Sequence, residues 1–192
     1  MPNAVFAVVL AAGSAKRFGA TKQLEPVGGQ PLVRRAADLA YEMCGNHTVL
    51  VVGHDWRAVT AAARGNSGYI VRNERHEDGL GTSISLAVRC VAHAASAILL
   101  LLADQPLITA QHLASLCDAW SGADDEIIAT AFAGTMGPPV LFPRATFAEL
   151  AGLEGDQGAQ RLLHDGRYRT RTIAFEPAAT DIDTQDDLTR PG

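Results

Sequence analysis

Three cations, Lys16, Arg17 and Lys22, follow directly on an apolar run at residues 5–10, behind a stretch that includes Ala11, Ala12, Gly13 and Ser14. Ala11, Ala12 and Gly13 carry almost no side chain, so another molecule can lie against this backbone. Main-chain N–H groups cradle oxyanions, and Arg and Lys neutralise them; this is what a phosphate site needs. A second apolar run, 97–103, ends in Asp104-Gln105-Pro106. The helix expected next already has Thr109 as its cap, so Asp104 is not required there. A partly buried carboxylate is costly unless it is paired or bound to a cation. Magnesium suits such a site, because it takes one or two carboxylates and completes its shell with phosphate and water.

Two further stretches carry chemistry. In Asp181-Ile182-Asp183, strand alternation sends Ile182 to the core and both acids to the other side. Neighbouring carboxylates repel unless a cation or proton intervenes, so Asp183 is the candidate second metal ligand; capping of a helix at Thr184-x-x-Asp187 is the alternative. The polar loop from Asn73 runs into Gly79-Leu80-Gly81-Thr82-Ser83. Small residues and hydroxyls at a helix start make a candidate oxyanion or base site, against the plainer reading of a glycine turn with a Ser/Thr cap.

These groups need a frame. Residues 5–10, 48–52, 69–72, 97–103 and 127–132 read as strands, and the first has the continuous apolar character of a strand covered on both faces. Helices are expected over 31–43, over 58–64 with Asp55 as N-cap, from Thr82 and Ser83 to about 93, over 110–120, over 147–153 and over 158–164. Residues 134–139 read as a turn and 140–142 as a short antiparallel return, with a last strand over 169–174. Alternating strands and helices predict right-handed βαβ crossovers. The expected fold is one α/β, Rossmann-like domain over 1–192: a mainly parallel sheet, helices on both faces and one antiparallel strand. Residues 1–110 would form the nucleotide half and 111–192 the acceptor half. In such a sheet ligands bind beyond the strand C-termini where the strand order reverses. Were the first and fourth strands neighbours, the cationic loop and Asp104 would share a crevice.

Composition narrows the class. The chain has 192 residues, 47% hydrophobic, with a formal net charge of −5, which suits one domain and argues against broad nucleic-acid or anionic-membrane binding. Cys44, Cys90 and Cys117 are far apart and form no C-x-x-C pair, so reduced thiols in a cytoplasmic protein are expected, with Cys90 buried on its helix. The apolar runs are too short for a secretory signal core or a membrane span.

Leu10-Ala11-Ala12-Gly13-x-x-x-Arg17-x-Gly19-x-x-Lys22 resembles the signature loop of nucleotidyltransferases that activate sugars, isoprenoid precursors and molybdopterin. Phe18 stands where that family more often has Met. Asn73…Gly79-Leu80-Gly81-Thr82-Ser83, Ala103-Asp104-Gln105-Pro106, Gly137-Pro138-Pro139-Val140-Leu141-Phe142, Gly155-Asp156-x-Gly158-Ala159 and Asp181-Ile182-Asp183-Thr184 follow in order. Together they resemble the molybdenum-cofactor cytidylyltransferase (MocA-like) branch of the MobA-like group.

The resemblance implies transfer of CMP from CTP to the terminal phosphate of molybdopterin, with release of pyrophosphate. Arg17, Lys22 and Asp104 would be catalytic: Arg17 and Lys22 on the triphosphate, Lys22 at the α-phosphate, Asp104 and Asp183 on Mg2+. Leu10, Ala11, Ala12, Gly13, Asn73, Gly81, Thr82 and Ser83 would line the nucleotide pocket, and Ala12 would favour cytidine over guanosine. Gly137, Pro138, Gly155, Asp156 and Gly158 would face the acceptor, and a molybdenum hydroxylase would be the client. Gln160, where the pattern usually has Arg, and His76, where it often has an aromatic, bear on the acceptor side. A nucleotidyltransferase for a sugar phosphate or another phosphate acceptor, and a non-catalytic carrier of molybdenum cofactor, are the alternatives.

Overall fold

A computed structural model describes residues 4–14, 18–65 and 68–182. The main elements run β1 (Val5–Ala11), β2 (Pro26–Val27), β3 (Gln30–Pro31), α1 (Leu32–Cys44), β4 (Thr48–Val52), α2 (Trp56–Ala62), β5 (Tyr69–Arg72), α3 (Leu80–Val91), β6 (Ala97–Leu102), α4 (Ala110–Ala119), β7 (Glu126–Phe132), β8 (Thr135–Pro143), α5 (Phe147–Ala151), α6 (Gln160–His164) and β9 (Arg169–Ala174). Seven strands form one sheet in the order β5-β4-β1-β6-β8-β7-β9, and β2 pairs with β3 in a small ribbon. β8 is antiparallel to both neighbours; the other pairs of the large sheet are parallel. The protein is thus a mixed α/β domain of the expected Rossmann-like kind.

β1 shows why the sheet is covered twice. Phe6, Val8 and Leu10 enter one core; Ala7, Val9 and Ala11 enter the other. α3, α5 and α6 cover the first face, and α1, α2 and α4 the second. Each large apolar side chain so buried stabilises by about 1.5–3 kcal/mol. α1 buries Val33, Ala36, Ala37 and Ala40, one stripe at helical spacing, and stops at Gly45 with φ 54°.

Four local expectations change. Cys90 is exposed rather than buried, because Ile84, Ala87, Val88 and Val91 set the inward face of α3 and residue 90 falls away from it. Cys44 and Cys117 are half-buried, and burial pushes their thiols up to about 12 and about 11. Asp55 holds the cap position of α2 at φ 47° but makes no cap bond; its carboxylate accepts from the Thr21 hydroxyl instead. Thr82 and Ser83 do not cap α3, which begins at Leu80; Thr82 turns its hydroxyl back to the Gly79 and Arg75 carbonyls. Thr109, by contrast, accepts from the His112 N–H as a cap should.

The fourth change is in β8, which begins at Thr135 rather than 140. A tight hairpin at Ala133 (φ 48°) and Gly134 (φ 72°) joins it to β7. The ladder pairs Ala129 with Val140 and then Thr130 with Gly137, so Pro138 and Pro139 fall in a bulge. Prolines cannot donate to a ladder, and a bulge is where a strand tolerates them.

Candidate active site

The chain passes from β1 to β4 and β5 on one side, then crosses to β6 on the other. The order therefore reverses between β1 and β6, which pair through Leu10 and Leu102, and the Ala103 N–H donates to Leu10 O at 3.1 Å. The loop after β1 and the carboxylate after β6 meet there. Lys22 Nζ donates to Asp104 Oδ2 at 2.7 Å, with side chains 11% and 26% exposed. Asp104 Oδ1 is buried and has no hydrogen-bond partner. A buried carboxylate oxygen left unmade is costly, and a hard cation would satisfy it.

A cleft of about 480 Å³ opens over this pair. Leu10, Ala12, Gly13, Lys22, Ser83, Asp104 and Asp156 line it, joined by Ser14, Gln23, His76 and Leu80. Gly53, which the sequence did not single out, shapes its floor. A Cβ there would lie 2.6 Å from His76 Cβ and 2.7 Å from Ala12 O, so only glycine lets β4 end this close to the loop. The His54 N–H also holds Ala12 O, at 3.1 Å.

Other expected site residues form the wall behind. Ala11 points into the opposite core. Buried Asn73 donates to the Thr82 and Ser83 hydroxyls at 2.9 and 2.8 Å, and its Oδ1 accepts from the Arg75 N–H. Asn73 and Thr82 face a smaller hollow on the far side, away from the cleft. Gly79 and Gly81 seat the 154–157 loop: a Cβ on Gly79 (φ 115°) would come 2.3 Å from Gly155 C, and one on Gly81 would come 2.8 Å from Gln157 O. The Gly81 N–H donates to Gly155 O at 2.9 Å. That seat delivers Asp156 to the cleft. Arg17 and Asp183 lie outside the described residues. The last described residue is tied to the site: the Ile182 N–H donates to Asp104 O at 3.0 Å, and the Ile182 side chain packs with Phe18 and Leu32.

A second recess of about 300 Å³ adjoins the cleft and shares Leu10, Leu80 and Leu102 with it. Gly137, Pro138 and Gly158 line it together with Met136, Phe142 and Leu163, and none of the described residues that line it is charged. The Pro138–Pro139 wall is tied from two sides. Gln105 Nε2 donates to Pro138 O, and the Thr130 hydroxyl donates to Pro139 O at 2.7 Å. Having spent its proton, Thr130 Oγ accepts from His112 Nε2–H at 2.8 Å. His112 stacks on Phe175, and burial holds its imidazole below the usual value.

The described residues contain no group of three or more His, Cys, Asp or Glu side chains able to hold a metal. Among the described residues a metal would rely on Asp104, whose unpartnered Oδ1 fits the role, with a bound phosphate and water completing its shell.

A mainly parallel sheet with an ion pair and a small-residue loop at its switch point is the arrangement of a nucleotide-handling α/β protein. Residues 7–172 match the MobA-like NTP transferase domain, and the chain belongs to this family of nucleotidyltransferases. It is 29% identical to the purine catabolism protein PucB of Bacillus subtilis, over 96% of this chain and 91% of that protein. It is 31% identical to nicotine blue oxidoreductase of Paenarthrobacter nicotinovorans, over 97% and 95%. The crystal structure of Rv0371c from Mycobacterium tuberculosis superposes with a TM-score of 0.85 at 33% identity, covering 97% of this chain and 96% of that one; a complex of Rv0371c with manganese is also known. No described helix is long and apolar enough to cross a membrane.

Proposed function

We propose that the protein is a magnesium-dependent cytidylyltransferase that joins CMP from CTP to the terminal phosphate of molybdopterin and releases pyrophosphate. The observation that carries this reading is the Lys22–Asp104 pair at the switch point, with one Asp104 oxygen buried and unsatisfied. The manganese complex of Rv0371c supports the use of a divalent cation.

In the reaction an oxygen of the acceptor phosphate bonds to the α-phosphorus of CTP, and the bond from that phosphorus to the bridging α–β oxygen breaks. The nucleophile is already an anion, so no strong general base is needed. Rate then comes from alignment and from neutralising charge on the two phosphates. Ala12 and Gly13 let the nucleotide lie against the backbone, and Ala12 sets the preference for cytidine. Lys22 neutralises charge developing at the α-phosphate, and Arg17 binds the triphosphate. Asp104 and Asp183 hold the magnesium, which supplies Lewis-acid neutralisation of phosphate oxygens. The apolar recess beside the cleft takes the body of the acceptor, with Asp156 at the junction.

The test is to titrate the protein with CTP and GTP in magnesium and follow pyrophosphate release with molybdopterin present. CTP-dependent release is expected. GTP preference would overturn the reading of Ala12. Nucleotide binding without release would favour another acceptor or a carrier role. A nucleotidyltransferase acting on a sugar phosphate or another phosphate acceptor is the alternative, and pyrophosphate release with that acceptor in place of molybdopterin would favour it.

A further inference from the structure

Each member of the ion pair is followed in sequence by a glutamine: Lys22-Gln23 and Asp104-Gln105. Both glutamines are buried, at 5% and 6% exposure. Each spends its amide nitrogen on main-chain carbonyls of a wall. Gln23 Nε2 donates to Gly13 O at 2.7 Å. Gln105 Nε2 donates to Pro138 O at 3.2 Å and to Ala178 O at 3.0 Å. These carbonyls fix which way each amide points, since a turned-over amide would set oxygen against oxygen. Both Oε1 atoms are buried without a partner. Such an acceptor costs stability, so stability alone would favour a methionine of similar length at either position. What methionine cannot do is hold a carbonyl at a set distance.

We propose that Gln23 and Gln105 are positioning residues that fix the two walls of the site to the ion pair between them. Gln23 holds the Gly13 loop against Lys22, on the nucleotide side. Gln105 holds the Pro138 wall of the apolar recess and the Ala178 turn against Asp104, on the acceptor side. The Ala178 turn leads to Ile182, whose N–H is on the Asp104 carbonyl, so Gln105 and this bond together hold residues 178–182 beside Asp104. The division between nucleotide and acceptor sides rests on the proposed function; the bracing itself does not.

The experiment compares Gln23→Met with Gln105→Met. It measures the CTP dissociation constant in magnesium by calorimetry, kcat and the molybdopterin KM by pyrophosphate release, and amide exchange of the segments 10–24 and 174–182 by mass spectrometry. Misplacing a bound group costs rate and affinity steeply, so each substitution is expected to weaken its own side by about 10-fold or more and leave the other within about twofold. Gln23→Met should weaken CTP binding and speed exchange in 10–24. Gln105→Met should raise the molybdopterin KM and speed exchange in 174–182, with CTP binding retained. The proposal is overturned if both variants shift both substrates alike. It is also overturned if they lower Tm while all constants and exchange rates hold. If a methionine variant does not fold, Gln23→Asn or Gln105→Asn replaces it, keeping the amide but falling one methylene short. An unsubstituted protein that shows no turnover with molybdopterin refutes the proposed reaction, while the CTP and exchange measurements still decide the bracing.

Discussion

The cleft and the apolar recess share three leucines and are built in opposite ways. The cleft is made at strand ends, from loops that bring Lys22, Asp104 and Asp156 together and leave charged oxygen unsatisfied. The recess is made on a strand face, from β6 and β8 side chains roofed by α3 and α6, and its described lining carries no charge. Charge placed on loops can be aimed at a ligand one group at a time. An apolar face can only be shaped, and selects by size and by the cost of burying hydroxyls. The difference suits a reaction in which one substrate is recognised by phosphates and the other by its body.

Removing the charge on the cleft side should have the largest effect. Asp104→Ala should cut pyrophosphate release at least ~100-fold, as losing a charge-stabilising group does, with the fold retained; near-normal turnover would remove the distinction between the recesses. Gly79→Ala should come next, since its Cβ would press on Gly155 at an unfavourable φ. Urea unfolding should show a loss of about 1–3 kcal/mol, and an unchanged midpoint would mean the 154–157 seat yields. Met136→Glu puts a charge into the recess and should raise the acceptor KM about 10-fold while CTP binding stays within about twofold. Equal losses for both substrates would mean the recesses act as one.

The smallest effect concerns the brace behind the recess. Burial holds the His112 imidazole below its ordinary value of 6.5. The unfolded chain then takes up a proton near pH 6.5 that the folded chain refuses, so stability is full above 6.5. It falls as pH drops toward the lowered folded value, by less than about 1.4 kcal/mol per pH unit. Unfolding curves from pH 7.5 to 5 should show this slope, and His112→Gln should flatten it.

Much of this was legible because its signals are strong. β1 and β6 are bounded apolar runs, and both faces of the sheet are covered, so the run itself reveals the strand. The junction of Lys22 with Asp104 followed from the switch-point rule once those strands were neighbours. The first half of β8 was hidden because Gly137, Pro138 and Pro139 read as a turn, and only the pairing with β7 makes them a bulge. Asp55 looked like a cap because its type and place fit, but the nearby Thr21 hydroxyl took its carboxylate. Gln23 and Gly53 had no signal, and Gln105 stood in the Ala103–Pro106 motif without a role of its own. Gln23 and Gln105 meet main-chain carbonyls, and Gly53 is hemmed in by Ala12 O and the His76 side chain, contacts across the chain that leave no mark in local residue type.

The glycine seat beneath the 154–157 loop has a consequence for mutational tolerance. Gly79 and Gly81 meet that loop through its backbone atoms, among them the carbonyls of Glu154, Gly155 and Gln157. A saturation library should therefore be lopsided: 79 and 81 would accept almost nothing, while the side chains of 154 and 157 would change freely. The loop can thus be rewritten toward a new acceptor without disturbing its anchorage.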